Sequence, residues 1–206
     1  MPTTRAFLAL LLDAETRAAL GALIQRLRPL SDAVAWVPEA NLHLTLKFLA
    51  RLTDERLAEV REAVAESAGG AAAFDLLLHG VGAFPGMERP RILWVGVGEG
   101  AVAARDLQAR IEAALVQRGF EADGRPWHPH LTIGRVFDDR RWRRDAGPAL
   151  REAIALAART SFGRVPVRRV SLMRSDLSPR GARYTELAST VLGGSSSPGQ
   201  TARGRV

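Results

Sequence analysis

The sequence predicts an α+β fold made from one duplicated unit. Strand-like and helix-like segments take turns along its 206 residues. Their order repeats: a strand and a helix lead to His43-Leu-Thr-Leu46, and a second strand and helix lead to His130-Leu-Thr-Ile133. The spacing repeats too, with His43 lying 38 residues beyond Arg5 and His130 lying 39 beyond Arg91.

Arg5 to Leu12 reads as a buried strand, and Ala14 to Leu27 carries apolar residues at helical spacing. Ala33 to Val37 is a short strand closed by Pro38, and Leu42 to Leu49 alternates as a strand does. Thr53 is a good N-cap for a helix running to about Ser67, which Gly69-Gly70 ends. Phe74 to Val81 and Arg91 to Val97 are strands, separated by a loop from Gly82 to Pro90. A third helix covers Ala101 to Arg118 and stops at Gly119. Leu131 to Phe137 is a strand, and Pro148 opens a helix to about Arg159. Val165 to Arg174 and Arg183 to Val191 close the fold as strands. After each histidine motif, then, come a helix and two strands. We expect one domain over residues 1–192 and a disordered tail over 193–206, where apolar periodicity is lost.

The chain has no Cys, which excludes disulfides, thiolate zinc sites and a cysteine nucleophile. The apolar run from Phe7 to Leu12 is far too short to span a bilayer, and no small-residue cleavage site follows it. A soluble, cytoplasmic protein is the expectation. The net charge of +7 favours polyanionic partners, although one Lys against 28 Arg is the skew a GC-rich genome produces.

Alternate residues of a strand share a face. His43, Thr45 and Lys47 are therefore expected on one face, backed by Leu42, Leu44 and Leu46 on the other. His130 and Thr132 repeat the pattern, backed by Leu131 and Ile133. Each lobe would present one imidazole and one hydroxyl to a cleft between them. The pair suits opening of a cyclic phosphodiester. A neutral His takes a proton from water, and a protonated His gives one to the departing ribose oxygen. Thr45 and Thr132 can bond the phosphate oxygens as charge builds, and Lys47 could add positive charge. No metal or other cofactor is required. A single His-x-Thr in a strand is a common structural feature; two at matching places in a repeat are not.

His128 and His130 form a His-x-His pair without a third ligand at zinc spacing, so His128 reads as a residue of the cleft rim beyond Pro129. His79 stands alone in an apolar strand, as a core or surface histidine does. Arg135 would point away from His130 in a regular strand, so a phosphate role there needs a bulge or a strand end. Arg140-Arg-Trp-Arg-Arg144 is either a solvated loop or a patch that holds RNA phosphates and stacks a base on Trp142. Ser171 and Ser175 lack a recognisable activating His, and there is no Gly-x-Ser-x-Gly elbow.

These residues resemble the two-histidine phosphoesterase superfamily, and within it the LigT-like RNA 2',3'-cyclic phosphodiesterases, first known as 2'-5' RNA ligases. The likeness runs from Arg5 to Leu192. It includes Arg5 to Leu10, Trp36 to Leu49, Gly82-Ala-Phe-Pro85, Pro90 to Trp94, Pro129 to Arg135 and Leu172 to Tyr184. It implies two antiparallel sheets around a central cleft, with helices on the outer faces. It also implies hydrolysis of a terminal 2',3'-cyclic phosphate to a 2'-phosphate without metal or cofactor. On this resemblance His43 is the proton donor and His130 the acceptor, Thr45 and Thr132 hold the phosphate, and Lys47, His128 and Arg135 are further candidate contacts. The implied partner is RNA with a cyclic phosphate end, tRNA fragments among the candidates, met by a monomer. Ligation of 2'-5' linked RNA, cleavage of other cyclic or 2'-5' linked nucleotides, and RNA binding without turnover stay open as alternatives.

Overall fold

The computed structural model describes residues 2–178 and 181–193, so the expected tail lies outside the described residues apart from Gly193. Local chemistry starts and stops most elements where expected. Asp13 caps the first helix by accepting the Thr16 amide at 2.8 Å, and Thr53 caps the second by accepting that of Arg56 at 3.4 Å. In chain order the elements are β1 (Thr4–Leu11), α1 (Ala14–Leu27), β2 (Val34–Trp36), β3 (His43–Leu52), α2 (Asp54–Gly69), β4 (Phe74–Phe84) and β5 (Ile92–Val97). They continue with α3 (Ala101–Val116), β6 (His130–Val136), α4 (Asp139–Asp145), α5 (Pro148–Ala157), β7 (Ser161–Val167), β8 (Arg169–Ser178) and β9 (Gly181–Val191).

The strands join in one antiparallel path, β7-β4-β5-β6-β3-β1-β8-β9, with β2 beside β6. The path has two halves of like construction. In one, β3 pairs β1, β1 pairs β8 and β8 pairs β9; in the other, β6 pairs β5, β5 pairs β4 and β4 pairs β7. The two histidine strands lie at the seam, meeting at Leu44 and Leu131. Strands are exchanged between the halves, because β4 and β5 follow β3 in sequence yet belong to the half-sheet of β6.

Helices cover one face. Leu8, Leu10, Leu44, Leu46, Leu131 and Ile133 meet Leu20, Ile24, Val60, Leu107 and Ile111 of α1, α2 and α3 there, all buried. Burial of each such side chain stabilises the fold by roughly 1.5–3 kcal/mol. The opposite face of the β1 half holds a smaller apolar group of Phe7, Ala9 and Met173, with Leu11 and Tyr184 packed on it. That second group is why β1 is apolar throughout rather than alternating.

Three expectations are corrected. The loop expected from Gly82 begins at Pro85, because Gly82, Ala83 and Phe84 still pair with Trp94, Leu93 and Ile92. The single strand expected over Val165 to Arg174 is two: the chain leaves β4 and joins β1 and β9, turning at Arg168. Both runs are strand-like, so only the change of partner divides them. Finally, Arg140 to Arg144 is helical, with Asp138 capping α4 by accepting the Arg141 amide at 2.8 Å. Trp142 is wholly buried, so its ring packs in the core and offers no face to a base.

Candidate active site

The antiparallel register at Leu44 and Leu131 sets His43 beside Thr132 and Thr45 beside His130, on the face away from the helices. Each imidazole is held in the same way. His43 Nδ1 lies 2.8 Å from the Asn41 carbonyl and His130 Nδ1 2.7 Å from the His128 carbonyl. A carbonyl only accepts, so Nδ1–H donates in both, and Nε2 is left for chemistry. Aromatic rings brace the imidazoles. Phe7 lies 4.8 Å and Tyr184 5.2 Å from His43, and Phe84 meets His130 edge-on at 5.0 Å. Sequence periodicity does not reveal these braces, although Phe7, Phe84 and Tyr184 stand in segments that carry the family likeness.

The Nε2 atoms differ. That of His43 is 3.0 Å from the Thr45 hydroxyl, whereas that of His130 has no hydrogen-bond partner among the described residues. Burial pushes the pKa of both below 6.5, and the Arg135 cation lowers both further; the carbonyl bonds to Asn41 and His128 oppose the shift. The His128 ring adds to the lowering at His130.

Arg135 reaches the site because the ladder is irregular. Trp94 pairs with Thr132 but Leu93 pairs with Gly134, so Ile133 is an extra residue in β6. That bulge turns Arg135 onto the face of His130. β3 does the same: Ala9 pairs with Thr45 and Leu8 with Lys47, making Leu46 the extra residue. Here the outcome overturns an expectation. Lys47 is turned to the helix face, where it is only 3% exposed. Its Nζ donates to Glu112 Oε1 and to the Glu121 carbonyl, each at 2.9 Å, and lies 3.6 Å from Asp123. It therefore ties the segment before β6 to β3 and leaves the cleft. Trp127 makes a second tie, its indole N–H donating to the Thr45 carbonyl at 3.1 Å.

Beside His130 a cavity of about 350 Å³ opens, lined by Phe84, Trp94, His128, Arg105 and His79 among others. Trp94 lies flat there because Gly82 opposes it; a Cβ at Gly82 would overlap the ring. His128 sits on the rim, exposed, in the coil before β6. Among the described residues no three His, Cys, Asp or Glu side chains cluster as metal ligands would, so the His128/His130 pair has no third partner. No helix among those residues is long and apolar enough to cross a membrane.

The family model described as the 2'-5' RNA ligase superfamily matches residues 15–179. The chain belongs to that superfamily. It is 34% identical over 183 residues to the RNA 2',3'-cyclic phosphodiesterase of Methanothermobacter thermautotrophicus, covering 89% of this chain and 96% of the relative. It is 32% identical to the protein of the same name from Aeropyrum pernix, covering 80% and 94%. A crystal structure from Thermus thermophilus superposes with a TM-score of 0.71 at 32% identity, covering 92% of this chain and 98% of that one. Escherichia coli LigT complexed with 3'-AMP shares the fold at a TM-score of 0.67 and 22% identity, covering 93% and 99%.

Proposed function

We propose that this superfamily member hydrolyses terminal 2',3'-cyclic phosphates of RNA to 2'-phosphomonoesters by acid–base catalysis between His43 and His130, without a metal. The observation that carries the reading is the matched anchoring of the two imidazoles. Each Nδ1 is tied to a carbonyl two residues back, each Nε2 is left for chemistry, and Arg135 acts on both. The names borne by relatives such as the Methanothermobacter enzyme support the substrate.

The cyclic phosphate sits between the imidazoles, its anionic oxygens taken by Thr45, Thr132 and Arg135. Water attacks phosphorus and loses a proton to His130 Nε2 as the P–O3' bond breaks. His43 Nε2 gives its proton to O3', leaving a 3'-hydroxyl and a 2'-phosphomonoester. One feature favours this order: His130 Nε2 has no partner among the described residues and is free to meet water, whereas His43 Nε2 is occupied by the Thr45 hydroxyl. The anionic phosphate offsets the burial that otherwise keeps His43 neutral. The terminal nucleoside then lies in the cavity against Phe84 and Trp94.

The test is an RNA oligonucleotide ending in a 2',3'-cyclic phosphate, incubated with the protein in excess EDTA. Conversion to a 2'-phosphate resistant to 3'-phosphatase is expected. His43→Ala and His130→Ala should each lower turnover by at least roughly 10²–10⁴ while the protein stays folded. Full activity in either variant would overturn the reading.

A further inference from the structure

The cavity beside His130 continues past the point that hydrolysis needs. Register explains its shape. His130 pairs with Gly96 of β5, and Gly96 pairs with His79 of β4, so three residues form one row across the sheet. Two strand spacings put His79 about 10 Å from His130. Gly96 sets no side chain of its own between the two imidazoles, and the edge of the Trp94 ring, 3.1 Å from where its Cβ would stand, borders the space that is left. In the other half-sheet the partner of His43 is Leu11, whose side chain packs with Phe7, Ala9 and Met173. A pocket therefore exists on the His130 side, while Leu11 fills the corresponding place beside His43.

The far end of the pocket is cationic. Arg105 of α3 and His79 line it together. No acidic residue lines the pocket, and Glu99 is engaged by Arg164 at 2.6 Å. Arg105 has no ion pair or hydrogen bond among the described residues, whereas Arg164, Arg168 and Arg174 each pair with an acid. A free guanidinium and an imidazole, one nucleotide's reach from the reacting phosphorus, suit a second phosphate.

We infer that Arg105 and His79 form a subsite for the 5'-phosphate of the terminal nucleotide, so that the protein prefers 5'-phosphorylated or chain-linked substrates over a bare nucleoside 2',3'-cyclic phosphate. The inference rests on the proposed placement of the cyclic phosphate at His43 and His130. In an RNA chain the group bound is the phosphodiester to the preceding nucleotide; in a mononucleotide it is a free monoester. Either carries the negative charge that Arg105 selects.

The experiment compares kcat/KM on three substrates: adenosine 2',3'-cyclic phosphate, its 5'-phosphorylated form, and a dinucleotide with a 2',3'-cyclic end. The 5'-phosphorylated and dinucleotide substrates should be preferred by about tenfold, the size of one charge-assisted hydrogen bond at a partly exposed site. Arg105→Gln and His79→Gln should bring the ratio towards one. Arg110→Gln, an exposed change elsewhere on α3, should keep it. Preference for both shows that the charge is read; preference for the dinucleotide alone would show that the preceding nucleoside is read instead, and would overturn the assignment to Arg105 and His79. A ratio near one in the unaltered protein, or a preference that survives Arg105→Gln, overturns the inference. If no substrate is turned over, the proposed activity has failed. Binding of adenosine 2'-phosphate and 2',5'-bisphosphate, followed by tryptophan fluorescence, then decides the subsite by the same ratio.

Discussion

Replacing Lys47 by Met removes the cation of a buried cluster and should destabilise the protein without touching the chemistry. Lys47 is 3% exposed, and Glu112, its main partner, retains 19% exposure. Taking one member from a buried pair strands the other, which costs about 3–5 kcal/mol. The Asp123 amide, which still donates to Glu112 Oε1 at 2.8 Å, places the expected loss near the lower end, about 3 kcal/mol. Asp123, 48% exposed, adds only what a surface pair is worth, under about 1 kcal/mol. For a chain of this size a loss of about 3 kcal/mol lowers Tm by roughly 6–12 °C. The double variant Lys47→Met/Glu112→Leu should recover much of it, because an apolar pair can replace a buried ion pair of similar volume. Thermal and urea unfolding measure the stability. Turnover of a cyclic-phosphate oligonucleotide, taken well below Tm, should stay within about twofold. An unchanged Tm together with a tenfold loss of kcat would show that Lys47 serves the substrate and that the bulge at Leu46 has been misread.

Arg135→Gln should raise the pKa of both His43 and His130, since it removes a cation that lowers both, and should also slow turnover by withdrawing charge from the phosphate. Burial, the larger cause, remains, so both imidazole midpoints, followed by NMR, should stay below 6.5; unmoved midpoints would place Arg135 outside the site. The same depression sets the pH dependence of folding. The unfolded chain binds more protons than the folded one between the lowered pKa values and 6.5, so the histidine contribution to stability is present above 6.5 and is lost as pH falls through that window. Trp142→Ala should cost about 3–5 kcal/mol through the cavity it leaves. Trp142→Phe should cost far less, because the buried indole N–H has no hydrogen-bond partner among the described residues to lose. Neither variant should weaken RNA binding at temperatures where the protein is folded, and weaker binding by the Phe variant would restore the stacking role.

Much of the site was legible because it rests on periodicity. Leu44 and Leu131 are buried and their motif neighbours face the cleft, as alternation requires, so His43, Thr45, His130 and Thr132 could be grouped without a structure. Legibility stopped at the fourth residue of each motif. Leu46 and Ile133 satisfy the alternating pattern whether or not they are extra residues in a ladder, because a bulge is a property of the partner strand's register. The rule that found the histidines therefore misplaced Lys47 and left Arg135 dependent on an irregularity it could not supply. Helix α4 was missed for another reason. Its four arginines masked one buried Trp, and Asp138 was the only sign of its start.

The sequence by itself determined most of the elements, the two histidine motifs at matching places and the absence of cysteine chemistry, since these follow from local spacing and residue type; the helix and two strands expected after the second motif are two helices and three strands. Only the tertiary structure decided which strands exchange partners between the halves, that Arg135 and not Lys47 joins the histidines, and that Gly96 opens a pocket where Leu11 closes one. Those outcomes depend on which residue of a distant strand lies opposite. Residues 8, 9 and 47, or 93, 94 and 134, carry no mark of their pairing until hydrogen bonds between strands fix the register.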